Sequence, residues 1–404
     1  MGRTLLFPGR GSRRSGTDAE LLIPALILLL TLPSLLGADP RSPELEALQL
    51  RSFSGTPLLL EIALREDFPV PGKLIARSGG DMHTFTLLEP PPEHASGLRL
   101  SPYLVPGRYE LEFELEALKE GGATLGSWSY TISFTEFVWG RDNYRFGNNA
   151  DYESVIGDYS EILSSWLEER FDLQDPGDRV ILTDLMYSLF GRNSGRCYAF
   201  SVSGLSYLLD PDSLPEPYES VYDIRPGVSR IQREMNYLQF DVVYDQILPG
   251  GGRDLQEPQA NRERLVELER IMERIDRQEP VAVGVTGAEL HHSMLVFGYI
   301  ENHATRSVDL LVANNWKSRE ELNLRSRDAE MVRIYREPAE GSRAMEWRDW
   351  EGLRRRQPER MFVVEPPEGE ERDPRLLKTI LSRRREELST RQEAILIVEN
   401  ARNA

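Results

Sequence analysis

The chain has one cysteine, Cys197, in the segment Asn193-Ser-Gly-Arg-Cys-Tyr-Ala-Phe-Ser201, and apolar residues at helical spacing follow it. This pattern predicts that Cys197 lies at the N-terminal end of a helix. Unpaired backbone N–H groups and the positive end of the helix macrodipole stabilise a thiolate there, and the N–H groups can also donate to an oxyanion. A free cysteine is usually a small buried hydrophobic residue, but this setting favours a nucleophile.

A nucleophilic cysteine needs a base, and the pair His291-His292 opens a predicted strand further along the chain. A second predicted strand, Ser307–Ala313, ends at Asn314, so antiparallel pairing of the two strands would bring Asn314 close to His292. Successive strand residues face opposite sides, and therefore only one histidine can point at Cys197. We expect this to be His292, with His291 exposed or facing substrate. No metal site is expected, because adjacent strand residues diverge and no third ligand is evident.

Three short motifs resemble, in the same order, those of the papain-like cysteine peptidases. The segment Gly195-Arg-Cys-Tyr-Ala-Phe-Ser201 is similar to the family's Gly-Ser-Cys-Trp-Ala-Phe. The strand from His292 to Gly298-Tyr299 is similar to the family's histidine strand, and Asn314-Asn315-Trp316 is similar to its Asn-Ser-Trp. The resemblance covers roughly residues 140–340, about half of the chain.

The resemblance implies a role for each matching residue. Cys197 would be the nucleophile, His292 the base that pairs with it, and Asn314 the side chain that orients the imidazole. Trp316 would shield the hydrogen bond between the histidine and the asparagine. The implied substrate is a peptide or protein cleaved at an amide bond, and no cofactor is implied.

Two features depart from the family's pattern. The family has a glutamine six positions before its cysteine that donates to the oxyanion, and Gly191 stands there in this chain. Asn193 is our candidate for the missing donor, and Gln174 is another. The distance of 95 positions between Cys197 and His292 is shorter than in papain itself and predicts a compact member of the superfamily.

The segments around these motifs predict an α+β protein. Residues 45–138 alternate short apolar runs with turn residues, which predicts an immunoglobulin-like β-sandwich. Residues 140–340 form the predicted papain-like domain, in which a helix carrying the cysteine packs on an antiparallel sheet carrying the histidine and the asparagine. Residues 341–404 form a charged, partly helical C-terminal extension.

Inside the papain-like segment, helical spacing of apolar residues predicts helices at 151–171 and 261–276. The stretch 229–245 is rich in aromatic residues and glutamines. It is predicted to form a helix followed by a strand in the core, and the alternative is a lining for a substrate groove.

Residues 1–38 have the order of a signal peptide: arginines, the apolar run Leu21–Leu36, then small residues. The run has 16 residues, short of the roughly 20 that a membrane-spanning helix needs. We expect cleavage near Ala38. An uncleaved membrane anchor is the alternative, because Leu36 is large for its place before the cleavage site. Either outcome predicts a secreted, periplasmic or cell-surface protein.

Composition narrows the function further. The 404 residues carry a formal net charge of −18, which argues against nucleic acid as a partner because such binding needs clustered Lys and Arg. One cysteine permits no intramolecular disulfide and no cysteine-based zinc cluster within one protomer.

The sequence therefore predicts an exported thiol hydrolase that cleaves amide bonds through an acyl-enzyme on Cys197. Two alternatives stay open. The absence of the glutamine at Gly191 permits a catalytically weak surface binding or adaptor protein with a papain-like shell. The same acyl-enzyme could also pass its acyl group to an amine, as a transglutaminase-like transferase does.

Overall fold

The structure of the protein is a computed structural model. It describes residues 48–53, 59–64, 72–78, 81–87, 98–99, 105–117, 124–138, 140–148, 159–171, 177–178, 180–181, 183, 196–247, 257–287, 290–314, 331–338, 344–348, 355–356, 358–367, 379, 381–382, 385–386 and 389.

Alternating and continuous apolar runs form fourteen strands in these ranges. They are β1 (Leu48–Phe53), β2 (Leu59–Leu64), β3 (Gly72–Ser78), β4 (Asp81–Leu87), β5 (Leu98–Arg99), β6 (Gly107–Ala117), β7 (Thr124–Phe134), β8 (Val281–Gly287), β9 (Leu290–Asn302), β10 (Ser307–Ala313), β11 (Met331–Tyr335), β12 (Met345–Arg348), β13 (Arg355–Arg356) and β14 (Arg360–Val363). The α-helices are α1 (Tyr159–Arg170), α2 (Cys197–Leu209), α3 (Ser229–Val242) and α4 (Glu257–Asp276).

Eleven strands join in one sheet, in the order β13-β12-β11-β10-β9-β7-β6-β3-β4, and β8 pairs with both β9 and β14. Strands β1, β2 and β5 form a separate sheet. Every pairing between described strands is antiparallel. The predicted α+β class, with helices and antiparallel sheet, is therefore confirmed.

Strand β9 organises the sheet because it has different partners along its length. On one side, residues 290–296 pair with β8 and residues 298–302 pair with β7. On the other side β10 pairs with β9 only as far as Ala313 opposite Leu295. Among the described residues, none pairs with residues 290–294 on that side, and this stretch of β9 is called the open edge in that sense.

Two buried clusters lie on opposite faces of β9. The first contains Leu295 and Phe297 of β9 together with Phe200 of α2 and Phe240 of α3. The second contains Met294 and Val296 of β9 together with buried leucine and isoleucine side chains of α4. The alternation along β9 therefore supplies both cores, which is why this strand is apolar throughout its middle.

The large sheet crosses both boundaries that the sequence predicted. Strand β7, at the end of the predicted sandwich, pairs with β9 of the predicted papain-like domain. Strands β12 to β14 fall in the predicted extension 341–404, yet β12 pairs with β11 and β14 pairs with β8. Contacts group Pro43–Ala404 into one compact unit. The predicted domain boundaries at residues 138 and 340 therefore stay predictions.

The predicted helices are present, with one correction. Helix α1 covers the described part of 151–171, and α4 includes all of 261–276. The stretch 229–245 was predicted to end in a strand, and this was wrong. Helix α3 instead continues into a π-helix at Val243–Ile247, because Val242, Val243 and Tyr244 stay buried as the chain turns.

In the part of the chain that the structure describes, no helix is both long and apolar enough to cross a membrane. The predicted signal peptide at residues 1–38 lies outside the described residues.

Candidate active site

Cys197 is the first residue of α2, where the sequence predicted a nucleophile. Its side chain is buried, with 5% of its surface exposed. The backbone N–H groups of Ser293, Tyr198 and Cys197 itself lie near enough to the sulfur to lower the pKa of the thiol. Ser293 directly follows His292 on β9, so the sulfur lies near the residue that is next to the predicted base in the sequence.

Helix α2 has no side-chain cap of its own at Arg196. Helix α3 supplies the missing contacts: Gln239 Oε1 accepts a hydrogen bond from the Ala199 N–H at 3.1 Å, and Asn236 Oδ1 accepts one from Arg196 Nε at 2.6 Å. All of these side chains are buried. They hold the N-terminal turn of α2, and with it Cys197, against a fixed support.

Burial raises the pKa of the Cys197 thiol to about 11. The N–H groups of Ser293, Tyr198 and Cys197 and the charge of Arg196 lower this pKa, but desolvation is the larger effect. The resting site therefore holds a neutral thiol at neutral pH, and a thiolate forms only when a base removes the proton.

His292 and Asn314 are in direct contact. The Nε2 atom of His292 lies 2.8 Å from Oδ1 of Asn314. An amide oxygen can only accept a hydrogen bond, so the proton lies on Nε2, and Nδ1 is the basic nitrogen of the neutral ring. His292 is 2% exposed, whereas the adjacent His291 is exposed to solvent. Of the two histidines, His292 is the one held in a defined orientation.

The predicted antiparallel pairing of two strands produces this contact. Strand β10 ends at Ala313, opposite Leu295 of β9, and Asn314 is the next residue. Continuing this register places the asparagine beside the open edge of β9, opposite Met294 and two residues from His292. The side chain of Asn314 is half-buried.

The sulfur of Cys197 also lies at this open edge. The N–H groups of a strand lie in the plane of its sheet, and β8 pairs with β9 on the other side of Ser293. The Ser293 N–H that lies near the sulfur must therefore point away from β8. Alternation places His292 on the face of β9 that also carries Met294, while Ser293 faces α2. A group at the edge of β9 can be reached from both faces of the sheet.

Trp347 of β12 is a site residue that the sequence did not single out. Its ring is stacked on the His292 imidazole, with centroids 5.1 Å apart and an interplanar angle of 7°. It is 2% exposed. The stacked ring limits rotation of the imidazole, a role different from the shielding of the His292–Asn314 hydrogen bond that the resemblance implied for Trp316. The alternation of Met345 and Trp347 with charged neighbours was a strand signal, but the sequence did not indicate the partner of that strand.

Comparisons with family models, with curated proteins and with solved structures give no match for this chain. The assignment of the site therefore depends on the residues themselves and on their geometry.

Two buried hydroxyl groups lie next to the nucleophile and the base in sequence. Tyr198 is 3% exposed and Ser293 is 0% exposed. Among the described residues, neither hydroxyl has a hydrogen-bond partner. Burial and the adjacent Cys197 raise the pKa of the Tyr198 phenol, so it stays a neutral donor. Buried hydroxyls without a partner among the described residues are available to a bound polar group.

The remaining predicted site residues, Asn193 and Trp316, lie outside the described residues, as do Gly191 and Gln174. In the described ranges, no group of three or more His, Cys, Asp or Glu side chains could hold a metal ion.

Proposed function

We propose that this protein is an exported, papain-like thiol hydrolase that cleaves amide bonds through an acyl-enzyme on Cys197. The observation that carries the proposal is the hydrogen bond of 2.8 Å between His292 Nε2 and Asn314 Oδ1 next to a helix-terminal thiol. The order of nucleophile, base and orienting amide along the chain, and the contact between His292 and Asn314, support a site for acyl transfer.

In the proposed reaction the Cys197 sulfur attacks the carbonyl carbon while its proton moves to Nδ1 of His292. The carbonyl oxygen becomes an oxyanion, and backbone N–H groups at the start of α2 stabilise it. The carbon–nitrogen bond then breaks, and the imidazolium gives its proton to the leaving amine. Water attacks the thioester, His292 accepts one of its protons, and the carboxylic acid and the thiol are released.

The raised pKa of the thiol makes this a general-base mechanism. Because Cys197 is neutral at rest, His292 has to remove the proton during the attack. Asn314 matters for that step because it keeps the proton on Nε2 and leaves Nδ1 basic. Trp347 keeps the ring in the same plane.

We propose also that residues 140–340 have the papain-like fold and that residues 45–138 form an immunoglobulin-like sandwich. The first is supported by the packing of α2 on β8 and β9. The second is supported by the presence of two separate sheets in the segment, one of β1, β2 and β5 and the other including β3, β4, β6 and β7.

A second function is favoured by the same pKa. A thiol that holds its proton to about pH 11 suits a surface binding or adaptor protein whose papain-like site performs no efficient chemistry. In that case Cys197 is a packed core residue, and the contact between His292 and Asn314 is structural.

Acylation by p-nitrophenyl acetate separates the two functions. The full chain is mixed with the ester, and the intact mass is measured at short times, when an acetyl group on Cys197 should be found. We expect Cys197→Ala and His292→Ala to abolish the adduct, and Asn314→Ala to slow its formation by about 10- to 100-fold. The matched control is His291→Ala, which changes an exposed neighbour and should leave the rate unchanged.

An adduct that forms equally fast in His292→Ala and His291→Ala would exclude the base role. The absence of any adduct in the wild-type chain would favour the binding function.

A further inference from the structure

A separate cavity lies at the C-terminal end of α2, opposite the end that carries Cys197. It has a volume of about 580 Å³, within the range of sites that bind small molecules and short peptides. Helix α2 has 13 residues, so its ends lie about 18 Å apart at 1.5 Å per residue. A ligand in the cavity therefore does not contact the proposed active site.

A large part of the cavity lining, called the apolar wall, consists of apolar side chains. These are leucine, valine and proline side chains, namely Leu208, Leu214, Val221, Pro106, Pro211 and Pro280. Proline has no backbone N–H, so this wall offers few hydrogen-bond donors to a ligand.

Three of the side chains that could donate into the cavity already donate within the protein, and the hydroxyl of Tyr207 is a further donor in the lining. Thr135 donates to the carbonyl of Phe297 at 3.1 Å, and Ser220 donates to Asp223 at 2.6 Å. Gln278 donates to the carbonyl of Phe134 at 3.3 Å. The free capacity of the polar lining is therefore mostly for accepting hydrogen bonds.

Arg141 is the cationic side chain in the lining, and its charge is compensated. Its Nε and Nη2 atoms bond to the two carboxylate oxygens of Asp142 at 2.6 and 2.8 Å. Its Nη1 atom also bonds to Glu136 Oε1 at 3.4 Å. The exposed carboxylate of Glu219 adds one more negative charge, so Glu136, Asp142, Glu219 and Arg141 give the lining a net charge of −2. Helix α2 adds the negative end of its macrodipole at the same place. The cavity thus combines an apolar wall with an acidic, acceptor-rich rim.

We propose that this cavity binds a basic, apolar peptide segment. A Lys or Arg side chain of the segment is attracted by the net negative charge of the lining, to which Glu136 and Glu219 contribute. Its apolar neighbours pack on the wall of prolines and leucines. The site is independent of the proposed hydrolase function and gives the protein a docking position for partners or substrates about 18 Å from the thiol, the length of α2.

The test is a calorimetric titration of the full chain with acetyl-Leu-Lys-Leu-amide and with the matched acetyl-Leu-Glu-Leu-amide. We expect the lysine peptide to bind at least about 10-fold more tightly, with a Kd that weakens as salt is added. The double variant Glu136→Gln/Glu219→Gln should lose about 10-fold in affinity for the lysine peptide. The control Glu112→Gln/Glu273→Gln changes two exposed carboxylates outside the lining and should bind as the wild type does.

A second variant tests the place of binding. Ser220→Trp fills the cavity at its rim, and we expect it to abolish the titration signal. Cys197→Ala should bind the lysine peptide with unchanged affinity, so loss of hydrolase activity and loss of docking are separate results. Equal binding of the two peptides, no saturable binding of either, or full binding by the Ser220→Trp variant would overturn the proposal.

Discussion

The pKa of the Cys197 thiol gives the sharpest prediction about the site, because burial raises this pKa and the helix terminus lowers it. Burial raises the pKa of the thiol to about 11, whereas a free cysteine has a pKa of roughly 8.5. At pH 7.5 the thiolate fraction is then about 0.03% instead of about 10%, a difference of roughly 300-fold. We expect alkylation of Cys197 by iodoacetamide to keep rising with pH to about 11.

The assay follows the loss of free thiol over time at each pH, with the intact mass as a check on the site. Burial also slows access of the reagent, so the midpoint of the pH profile is the result, not the absolute rate. The unfolded chain in guanidinium chloride is the internal reference, with an expected midpoint near 8.5. Tryptophan fluorescence at each pH confirms that the chain is still folded.

The free energy of unfolding should also depend on the protonation of Cys197. The folded state holds the thiol proton to about pH 11, and the unfolded chain releases it near 8.5. The folded state therefore binds more protons between these values, and the free energy of unfolding falls as pH rises through this window, by roughly 3 kcal/mol in total. Cys197→Ala lacks this contribution, so the difference between wild type and variant should shrink by that amount.

An alkylation rate that is already maximal at pH 6 and falls in His292→Ala would refute the neutral thiol. It would show a resting ion pair between Cys197 and His292, in which the imidazolium outweighs desolvation. A midpoint near 8.5 in the folded chain would instead show that the thiol is open to solvent.

Two further predictions concern packing and charge. A Cβ at Gly284 would lie within 3 Å of three ring atoms of Phe362, whereas the nearest atom to a Cβ at Gly204 is 3.9 Å away. In urea titrations, Gly284→Ala should therefore destabilise the protein by roughly 1–3 kcal/mol, and Gly204→Ala in α2 should be neutral or stabilise it by up to about 1 kcal/mol. The buried Arg333 forms two hydrogen bonds to Asp309, at 2.6 and 2.7 Å. Asp309→Ala should therefore lower the free energy of unfolding by about 3–5 kcal/mol, because it leaves the arginine buried without its partner. If the double variant Arg333→Ala/Asp309→Ala were as stable as the wild type, the pair would not be net stabilising.

Local patterns were enough to predict the elements of the site. The helix that begins at Cys197, the strand through His292 and the strand that ends at Asn314 each have a clear apolar period in the sequence. The connection between the two strands is short, so antiparallel pairing followed directly. For this reason the contact between His292 and Asn314 could be anticipated from spacing alone.

Contacts between distant segments could not be anticipated in this way. Strand β7 pairs with β9 across about 170 positions, and Trp347 reaches His292 from a strand 55 positions away. Nothing in the local apolar period identifies such partners, because any exposed strand edge can accept any other strand. The contact of Gln239 with α2 could not be predicted for the same reason. A glutamine in an amphipathic helix has the same local sequence pattern whether its side chain faces solvent or accepts a hydrogen bond from another helix.

The geometry of the site depends on where β10 ends. Because β10 stops at Ala313, residues 290–294 of β9 keep an open edge, and the N-terminus of α2 can place its sulfur against the Ser293 N–H. Two more residues of pairing would cover that edge and displace the Cys197 sulfur from the Ser293 N–H. The same end of β10 turns the chain so that Asn314 meets the imidazole. One strand terminus thus borders both the Ser293 N–H, near which the sulfur lies, and Asn314, which contacts the base, although Cys197 and Asn314 lie 117 positions apart in the sequence.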